Sequence, residues 1–253
     1  MTINPVAGTF FGLAFPSPES AAEVSDALRR VVQGFSGQKL FMNDNLFTVG
    51  HTRGFLEDPA FMAAVEGAEP DRIEQAIIWR THVMCWAARS ALRQPGDFVE
   101  CGCYKGYTTR VICDLLDWKS VDRRFWMYDL FLPTGAAGEG AKLLEHSEGL
   151  HKQVVGRFSD LDNVTVIQGR VPDSFAKGSP DRIAFLHIDM NNAHAELEAM
   201  KALFDRVSPG GIVVFDDYGW DVYRDQKDAH DAWLAPQGYQ ILELPTGQGL
   251  LIK

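Results

Sequence analysis

Three aspartates follow two apolar runs that are predicted to be strands of this 253-residue chain. Asp189 comes directly after the run 183–188, and Asp216 and Asp217 come directly after the run 212–215. Neighbouring strands lie about 5 Å apart, so three carboxylates would converge on one edge of the sheet. Clustered carboxylates are costly unless a cation lies between them, and oxygen ligands favour Mg²⁺, or alternatively Mn²⁺ or Ca²⁺, over zinc. The pattern predicts a divalent-cation site. The alternative is that one of the paired aspartates caps the following segment, because consecutive strand residues face opposite ways.

A glycine-rich turn follows an earlier predicted strand. Glu100, Gly102 and Gly106 form an E-x-G-x-x-x-G pattern between this strand and a predicted helix. Glycines let the backbone approach a ligand there, and free N–H groups at the helix start attract a carboxylate. Glu100 would repel a pyrophosphate but pair with the ammonium of a bound amino acid, and the nicotinamide fingerprint is more tightly spaced. The turn therefore favours S-adenosylmethionine, which carries an ammonium and no phosphate; the alternative is a turn with purely structural glycines.

Two further strand ends complete the predicted cofactor site. Asp129 ends the second strand, where an acid accepts hydrogen bonds from both ribose hydroxyls or, alternatively, caps a turn. Gln168 and Gly169 end the third strand and are placed beside the adenine. The residues predicted to contact the cofactor are Glu100, Gly102, Tyr104, Gly106, Thr108, Asp129, Gln168 and Gly169.

The predicted chemistry is transfer of the sulfonium methyl group to a substrate hydroxyl. A bound cation would orient this hydroxyl and lower its pKa, and most of the remaining catalysis would be alignment of oxygen, methyl carbon and sulfur. The candidate bases are Asp189, acting while it binds the cation, and His194, five residues further on. His187 alternates onto the face of Asp189 but lies inside an apolar strand, so we interpret it as a hydrogen-bonded core histidine.

Alternating strands and helices must position these residues. Strands are predicted at 97–101, 125–128, 164–167, 183–188 and 212–215, with helices at 107–117, 149–160 and 193–206. This alternation is typical of parallel strands joined by right-handed crossovers. A final pair of runs, 239–244 and 249–252, predicts an antiparallel hairpin. The predicted fold class is α/β: a doubly wound, Rossmann-like class I methyltransferase sheet of five parallel strands plus a C-terminal antiparallel hairpin.

The first 69 residues differ from the rest of the chain in composition and in predicted secondary structure. They are rich in Phe, Gly, Asn and Pro, with short helices predicted near 19–33 and 58–66 and no strand alternation long enough for a sheet. A long helix is predicted over 70–93, with Ile73 and Trp86 among its core positions. We interpret residues 1–69 as a helical N-terminal extension that serves as a substrate cap or an oligomer contact, and residues 70–253 as the cofactor-binding domain. A homo-oligomer is therefore a hypothesis.

Composition excludes several classes of protein. The formal net charge is −10, and phosphate contacts need an excess of Lys and Arg, so a nucleic-acid partner is not expected. No apolar run approaches the roughly 20 residues that span a bilayer, and no secretory signal is recognisable, so no membrane partner is expected. Four cysteines are too few for a disulfide scaffold, which favours a reduced, cytoplasmic protein. Cys101, Cys103 and Cys113 with His82 lack the paired spacing of a zinc site and are interpreted as core residues.

Together these motifs resemble the macrocin and mycinamicin sugar O-methyltransferase family over roughly residues 95–235. The matching pieces are Phe98-Val99-Glu100-Cys101-Gly102-Cys103-Tyr104-Lys105-Gly106, Tyr128-Asp129-Leu130-Phe131, Leu186-His187-Ile188-Asp189, and Ser208-Pro209-Gly210-Gly211 with Asp216-Asp217-Tyr218. The resemblance implies Mg²⁺-dependent methylation of a sugar hydroxyl on a glycosylated small molecule, with the three aspartates as cation ligands. The family usually shows His-x-Asp-Gly-Asp-x-Tyr, whereas this chain has Asn191 in place of the second acid and lacks the aromatic residue. This departure leaves the three aspartates intact but changes the residues that could act as the base and that could contact the sugar.

Other interpretations stay open at this point. A nicotinamide-dependent oxidoreductase shares the general architecture, and a non-catalytic binding protein on a degenerate fold is favoured only by the asparagines at 191 and 192. Metal-independent methylation, and carbon or nitrogen acceptors, also remain open. Tyr218, Trp220 and Tyr223 either stack on a sugar or pack a loop onto the domain. The segment 132–149 is either a lid over the cofactor or a surface loop.

Overall fold

A computed structural model of the chain describes residues 3–132 and 149–253. The chain divides into two compact units, Met1–His82 and Val83–Lys253. The lid predicted at 132–149 lies outside the described residues, apart from its two end positions. The functional division into residues 1–69 and 70–253 stays a prediction.

The first unit contains short helices and one hairpin. Its elements are α1 (Pro18–Gly34), β1 (Leu40–Asn43), β2 (Leu46–Val49), α2 (Pro59–Gly67) and α3 (Arg72–Ala76), followed by α4 (Ile78–Ala91), which crosses into the second unit. Ser17 and Asp58 cap the first two helices with their side chains, which is how such residues satisfy the free N–H groups of a helix start. The two short helices predicted near 19–33 and 58–66 are thus confirmed.

Two expectations about this region were wrong. β1 and β2 form an antiparallel sheet around Asp44 and Asn45, whose φ angles are 53° and 56°, as a tight hairpin turn requires. All four residues of β1 are buried, so its sequence shows no alternation to detect. The helix predicted over 70–93 is interrupted at Ile77, which ends α3, and the predicted core positions Ile73 and Trp86 are 58% and 51% exposed.

An aromatic cluster forms much of the core of the first unit. Phe55 lies between Trp79 and His82, with ring centroids 5.0 and 4.7 Å away, and Phe61 packs edge-on to Phe55 and His82. His82 is therefore part of this aromatic cluster.

The second unit is built on a seven-stranded sheet. Its strands are β3 (Asp97–Cys101), β4 (Phe125–Asp129), β5 (Val164–Gln168), β6 (Ile183–Ile188), β7 (Val207–Phe215), β8 (Leu242–Glu243) and β9 (Gly249–Ile252), and its helices after α4 are α5 (Tyr107–Leu115), α6 (Leu150–Arg157), α7 (Ala193–Leu203) and α8 (Arg224–Leu234). The strand order is β5-β4-β3-β6-β7-β9-β8. The pairs among β3 to β7 are parallel, and β9 is antiparallel to both of its neighbours. The predicted fold class is confirmed.

The strand order reverses between β3 and β6. From β3 the chain moves outward to β4 and β5, and then returns to place β6 on the other side of β3. Ligands of doubly wound sheets bind at such a reversal, beyond the carboxyl ends of the strands. The residues that follow β3 and β6 therefore lie where a ligand of this sheet is expected to bind.

The sequence did not predict α8. Its buried residues are Gln226, His230 and Leu234, which recur every four positions but include one apolar side chain. An apolar periodicity is the usual signal of a helix, and here the buried face is mostly polar. The strand predicted at 239–244 is also shorter than expected, because only Leu242–Glu243 pairs with β9.

Candidate functional site

The turn after β3 meets the end of β6 in backbone contact. Gly102 has a φ of 92°, and a Cβ atom added to it would lie 1.6 Å from the carbonyl oxygen of Asp189. The Asp189 N–H donates to the carbonyl of Cys101 over 2.8 Å. Glycine is required here for both its conformation and its lack of a side chain. The structure thus places the predicted cofactor turn directly beside the first predicted cation ligand.

Asp129 joins the ends of β3 and β4. Its Oδ2 accepts the Tyr104 N–H over 2.7 Å and its Oδ1 accepts the Phe131 N–H over 2.8 Å. The Gly169 N–H donates to the Asp129 carbonyl over 2.9 Å, and the Gln168 side chain points its amide nitrogen at the Leu130 carbonyl, 3.4 Å away. The residues predicted to follow β3, β4 and β5 therefore lie together at one edge of the sheet.

Two further positions predicted to contact the cofactor lie at the start of α5. Gly106 is the N-cap of this helix, with a φ of 72°, and an added Cβ there would lie 2.8 Å from the Phe158 ring. Thr108 is half-buried in the first turn. Contact of Gly106 and Thr108 with a cofactor stays a prediction.

Glu100 is enclosed by protein, where the sequence suggested an open carboxylate. The residue is 3% exposed. Its Oε2 accepts the hydroxyl of Thr109, and its Oε1 lies 2.9 Å from Nδ1 of His187. The interpretation of His187 as a hydrogen-bonded core histidine is confirmed. Thr109 was missed, although its place one helical turn after the glycine motif was a usable signal.

The three predicted cation ligands converge. One carboxylate oxygen from each of Asp189, Asp216 and Asp217 lies within 4.8 Å of the others, and we call these residues the aspartate cluster. Consecutive residues of a strand would face opposite ways, but β7 ends at Phe215. Asp216 and Asp217 follow the strand, so their side chains can point to the same place. Burial, followed by the charges of its two cluster partners, raises the pKa of Asp189 well above its ordinary value. In the described part of the chain, this is the one group of His, Cys, Asp and Glu side chains arranged to hold a metal ion.

Amide side chains support the cluster. Gln248 is fully buried and donates its Nε2 to Asp216 Oδ1 over 3.1 Å, while its Oε1 lies 3.0 Å from the hydroxyl of Thr246. Asn191, with a φ of 52°, points its Nδ2 at Asp189 Oδ1 from 3.4 Å. Sequence reasoning missed Gln248, since only the pairing of β7 with β9 brings this distant turn to the cluster. Asn191 thus occupies the position of the missing second acid as a donor to the first.

A second buried carboxylate–imidazole pair lies behind this edge. Glu196, in the first turn of α7, accepts the Met190 N–H over 3.1 Å with Oε1, and its Oε2 lies 3.1 Å from Nε2 of His230. The ring of His230 lies 4.5 Å from that of Phe215. The pair therefore touches the residue after Asp189 and the residue before Asp216. No motif in the sequence indicated it.

His194 lies elsewhere on α7. It is exposed and lies four residues before Glu198. Within residues 3–132 and 149–253, His194 makes no hydrogen bond to the aspartate cluster, so its role as a base stays a prediction.

Tyr218 is packed onto α8: its hydroxyl donates to Asp231 over 2.7 Å, and Lys227 lies 3.7 Å above its ring. For Tyr218 the packing interpretation is therefore the better one.

The cysteines are core residues, as expected. Cys85, Cys101, Cys103 and Cys113 are all free and buried, and burial raises the pKa of the Cys85 thiol to about 12.

None of the helices in the described ranges combines the length and apolar character that crossing a bilayer would take.

Comparison with known proteins finds matches across the sheet domain. A model of the family described as macrocin O-methyltransferase (TylF) matches residues 84–233. Mycinamicin III 3''-O-methyltransferase of Micromonospora griseorubida is 24% identical over 226 residues, covering 80% of this chain and 85% of that protein. A tetracenomycin-C rhamnosyl 4'-O-methyltransferase of Streptomyces olivaceus is 27% identical over 146 residues, covering 52% of this chain. The chain spans little more than half of that second relative, 56% of its length.

Solved structures share the fold. The O-methyltransferase NovP superposes with a TM-score of 0.58 at 23% identity, covering 69% of this chain and 79% of that one. The calicheamicin methyltransferase CalS11 superposes with a TM-score of 0.58 at 15% identity, covering 94% of both chains. At this identity the likeness establishes the architecture alone.

Proposed function

Since the chain belongs to the macrocin O-methyltransferase (TylF) family, we propose that this S-adenosylmethionine-dependent methyltransferase methylates a hydroxyl of a sugar or of a glycosylated small molecule. The proposal is carried by one observation: the glycine turn after β3 meets Asp189 in backbone contact. This contact brings the cofactor turn and the aspartate cluster to one edge of the sheet. Relatives named for mycinamicin and for a rhamnosyl tetracenomycin support a sugar-linked acceptor.

The cofactor would lie along the ends of β3, β4 and β5. Asp129, held in place by its bonds to the Tyr104 and Phe131 N–H groups, would accept hydrogen bonds from the ribose hydroxyls. The backbone from Gly102 to Gly106, with Tyr104 and Thr108, would lie beside the amino-acid end, and Gln168 with Gly169 beside the adenine. These roles are assigned by position at the strand ends, which is where such sheets bind nucleosides.

We propose that the aspartate cluster holds a divalent cation. Three carboxylate oxygens within 4.8 Å of one another form a hard, oxygen-only donor set that suits Mg²⁺. Burial and the two neighbouring carboxylates raise the pKa of Asp189, and a bound cation would offset the repulsion among the three groups. A cation bound there would orient the acceptor hydroxyl and lower its pKa.

The reaction itself makes modest demands on side chains. The sulfonium of the cofactor supplies an electrophilic methyl carbon. The acceptor oxygen forms a bond to this carbon as the carbon–sulfur bond breaks, which yields a methyl ether and S-adenosylhomocysteine. Alignment of the three atoms supplies much of the rate, and the hydroxyl proton must pass to a base. We propose Asp189 for this role, with His194 as the second candidate.

The N-terminal residues 1–69 are proposed to cap the acceptor site or to form a contact between copies of the chain. The exposed apolar side chains of this region, which include Leu13, Phe15, Val24, Val31 and Phe35, support a covering or contact role.

Calorimetric titration with S-adenosylhomocysteine tests the function. We expect saturable binding to the wild-type protein and at least tenfold weaker binding to Asp129→Ala, because two hydroxyls would lose a charged acceptor. The matched control is Asp162→Ala, which removes an exposed aspartate in the turn before β5 and should bind as the wild type does. A folded wild-type protein that binds no S-adenosylhomocysteine would refute the proposal. Methylation of glycosylated acceptors, followed as S-adenosylhomocysteine release with Mg²⁺ or with EDTA, then tests the acceptor class and the cation separately.

A further inference from the structure

Glu100 has a closed set of hydrogen-bond partners. Its carboxylate lies between the hydroxyl of Thr109 and Nδ1 of His187. All three residues are buried, with exposures of 3%, 0% and 3% for Glu100, Thr109 and His187. Each carboxylate oxygen is thus held by a different element, α5 on one side and β6 on the other.

This enclosure makes direct contact with a ligand difficult. The Glu100 side chain is 4% exposed, so an ammonium arriving from solvent would have to displace a protein donor to reach it. The displaced donor would then be left buried without a partner, which costs about 1–3 kcal/mol.

The same contacts connect the parts of the site that must keep their spacing. Thr109 lies in the first turn of α5, three residues after Gly106. His187 is the register partner of Glu100 across β3 and β6 and stands two residues before Asp189. The carboxylate therefore ties the start of α5 to β6 on either side of the turn whose glycine abuts Asp189.

We propose that Glu100 is a positioning residue of the cofactor site and not the direct partner of the cofactor ammonium. It holds the glycine turn against β6 through Thr109 and His187. This inference rests on the proposed function, because it assumes that S-adenosylmethionine binds at this edge. It replaces the ammonium contact that the sequence alone suggested for Glu100.

Three roles of Glu100 predict three different outcomes for Glu100→Gln, which keeps the shape and removes the charge. A direct ammonium contact weakens ligands that carry an ammonium and spares those that lack one. A positioning role weakens both kinds of ligand equally, since the whole turn moves. A purely structural role lowers the stability of the protein but leaves the affinity of the folded protein unchanged.

The experiment compares S-adenosylhomocysteine with its deaminated analogue, which keeps the adenine, ribose, thioether and carboxylate but has no ammonium. Calorimetry gives the first affinity, and displacement of S-adenosylhomocysteine gives the second. We expect Glu100→Gln to weaken both by a common factor of about three to ten, the loss of one or two hydrogen bonds. A loss for S-adenosylhomocysteine that exceeds the other by about tenfold or more, as a charged pair would give, overturns the proposal. Unchanged affinity for both ligands also overturns it.

Thr109→Val provides the second variant, because it leaves Glu100 charged and removes one of its two holders. The proposal requires the same common loss for both ligands, and unchanged binding overturns it even if Glu100→Gln does not fold. The matched control is Thr165→Val, whose hydroxyl lies in β5 and bonds the exposed Arg124; it should bind both ligands as the wild type does. A wild-type protein that binds neither ligand refutes the proposed function first, and the positioning role falls with it.

Discussion

Replacing Gly102 by alanine would place a methyl group against the backbone of Asp189. The added Cβ would lie 1.6 Å from the Asp189 carbonyl oxygen and 2.5 Å from its carbonyl carbon. Reaching an ordinary contact of about 3.4 Å from 1.6 Å requires a displacement of about 1.8 Å between the turn and β6. The obstacle is backbone, so no side-chain rotation relieves it. Alanine also disfavours the left-handed φ of 92°.

Two contributions determine the size of the effect. The left-handed conformation costs alanine about 1–2 kcal/mol, and overpacking of a close contact costs about 1–3 kcal/mol. We therefore expect Gly102→Ala to lower the free energy of unfolding by about 2–5 kcal/mol. Because the turn and Asp189 must separate, we also expect the affinity for S-adenosylhomocysteine to fall by at least tenfold under conditions where the variant remains folded.

Gly156 provides a matched control on the same domain. It lies in the last turn of α6, is exposed, and an added Cβ would find nothing within 4 Å. Gly156→Ala should be neutral or stabilise the protein by about 0.5–1 kcal/mol. Urea unfolding measures both free energies, and calorimetry measures the affinities. If Gly102→Ala unfolds within about 0.5 kcal/mol of the wild type and binds the ligand equally well, the close approach and the role assigned to this turn are both wrong.

Three further predictions concern the groups around the aspartate cluster. The folded protein raises the pKa of Asp189 and so holds its proton more tightly than the unfolded chain; the free energy of unfolding in EDTA should therefore fall as pH rises above the ordinary carboxyl range, and Asp217→Asn should weaken this dependence in urea titrations from about pH 5 to 8. Glu196→Ala should cost about 2–5 kcal/mol, because it removes the acceptor of the Met190 N–H and the partner of the buried His230 imidazole. The double variant Glu196→Leu with His230→Leu should recover most of the loss, and a double-mutant cycle without coupling would contradict this pairing. Gln248→Leu should weaken Mn²⁺ binding, followed by electron paramagnetic resonance, by about 10- to 100-fold while S-adenosylhomocysteine binding stays unchanged. Equal Mn²⁺ affinity in the two proteins would show that the amide does not orient the cluster.

Much of the sheet was predictable because its signals are local. The five parallel strands are short apolar runs bounded by turn residues, and the structure places each within a few residues of its predicted position. The aspartate cluster follows from the same logic, since carboxyl ends of parallel strands share one edge. Helix α8 escaped prediction because its buried face carries Gln226 and His230, and hairpin β1–β2 escaped because β1 is buried throughout.

The sequence by itself determined the five parallel strands with the helices between them, the glycine turn and the three aspartates, since apolar periodicity and turn residues act over a few neighbouring positions. Only the tertiary structure decided which polar groups meet. It brings Thr109 and His187 to Glu100, and Gln248 to Asp216 across the pairing of β7 with β9. These partners are separated by up to 87 residues, and a buried carboxylate must find a donor wherever the packed fold supplies one. Whether a carboxylate stands open to a ligand or is enclosed by protein is therefore settled by packing and not by the motif in which it occurs.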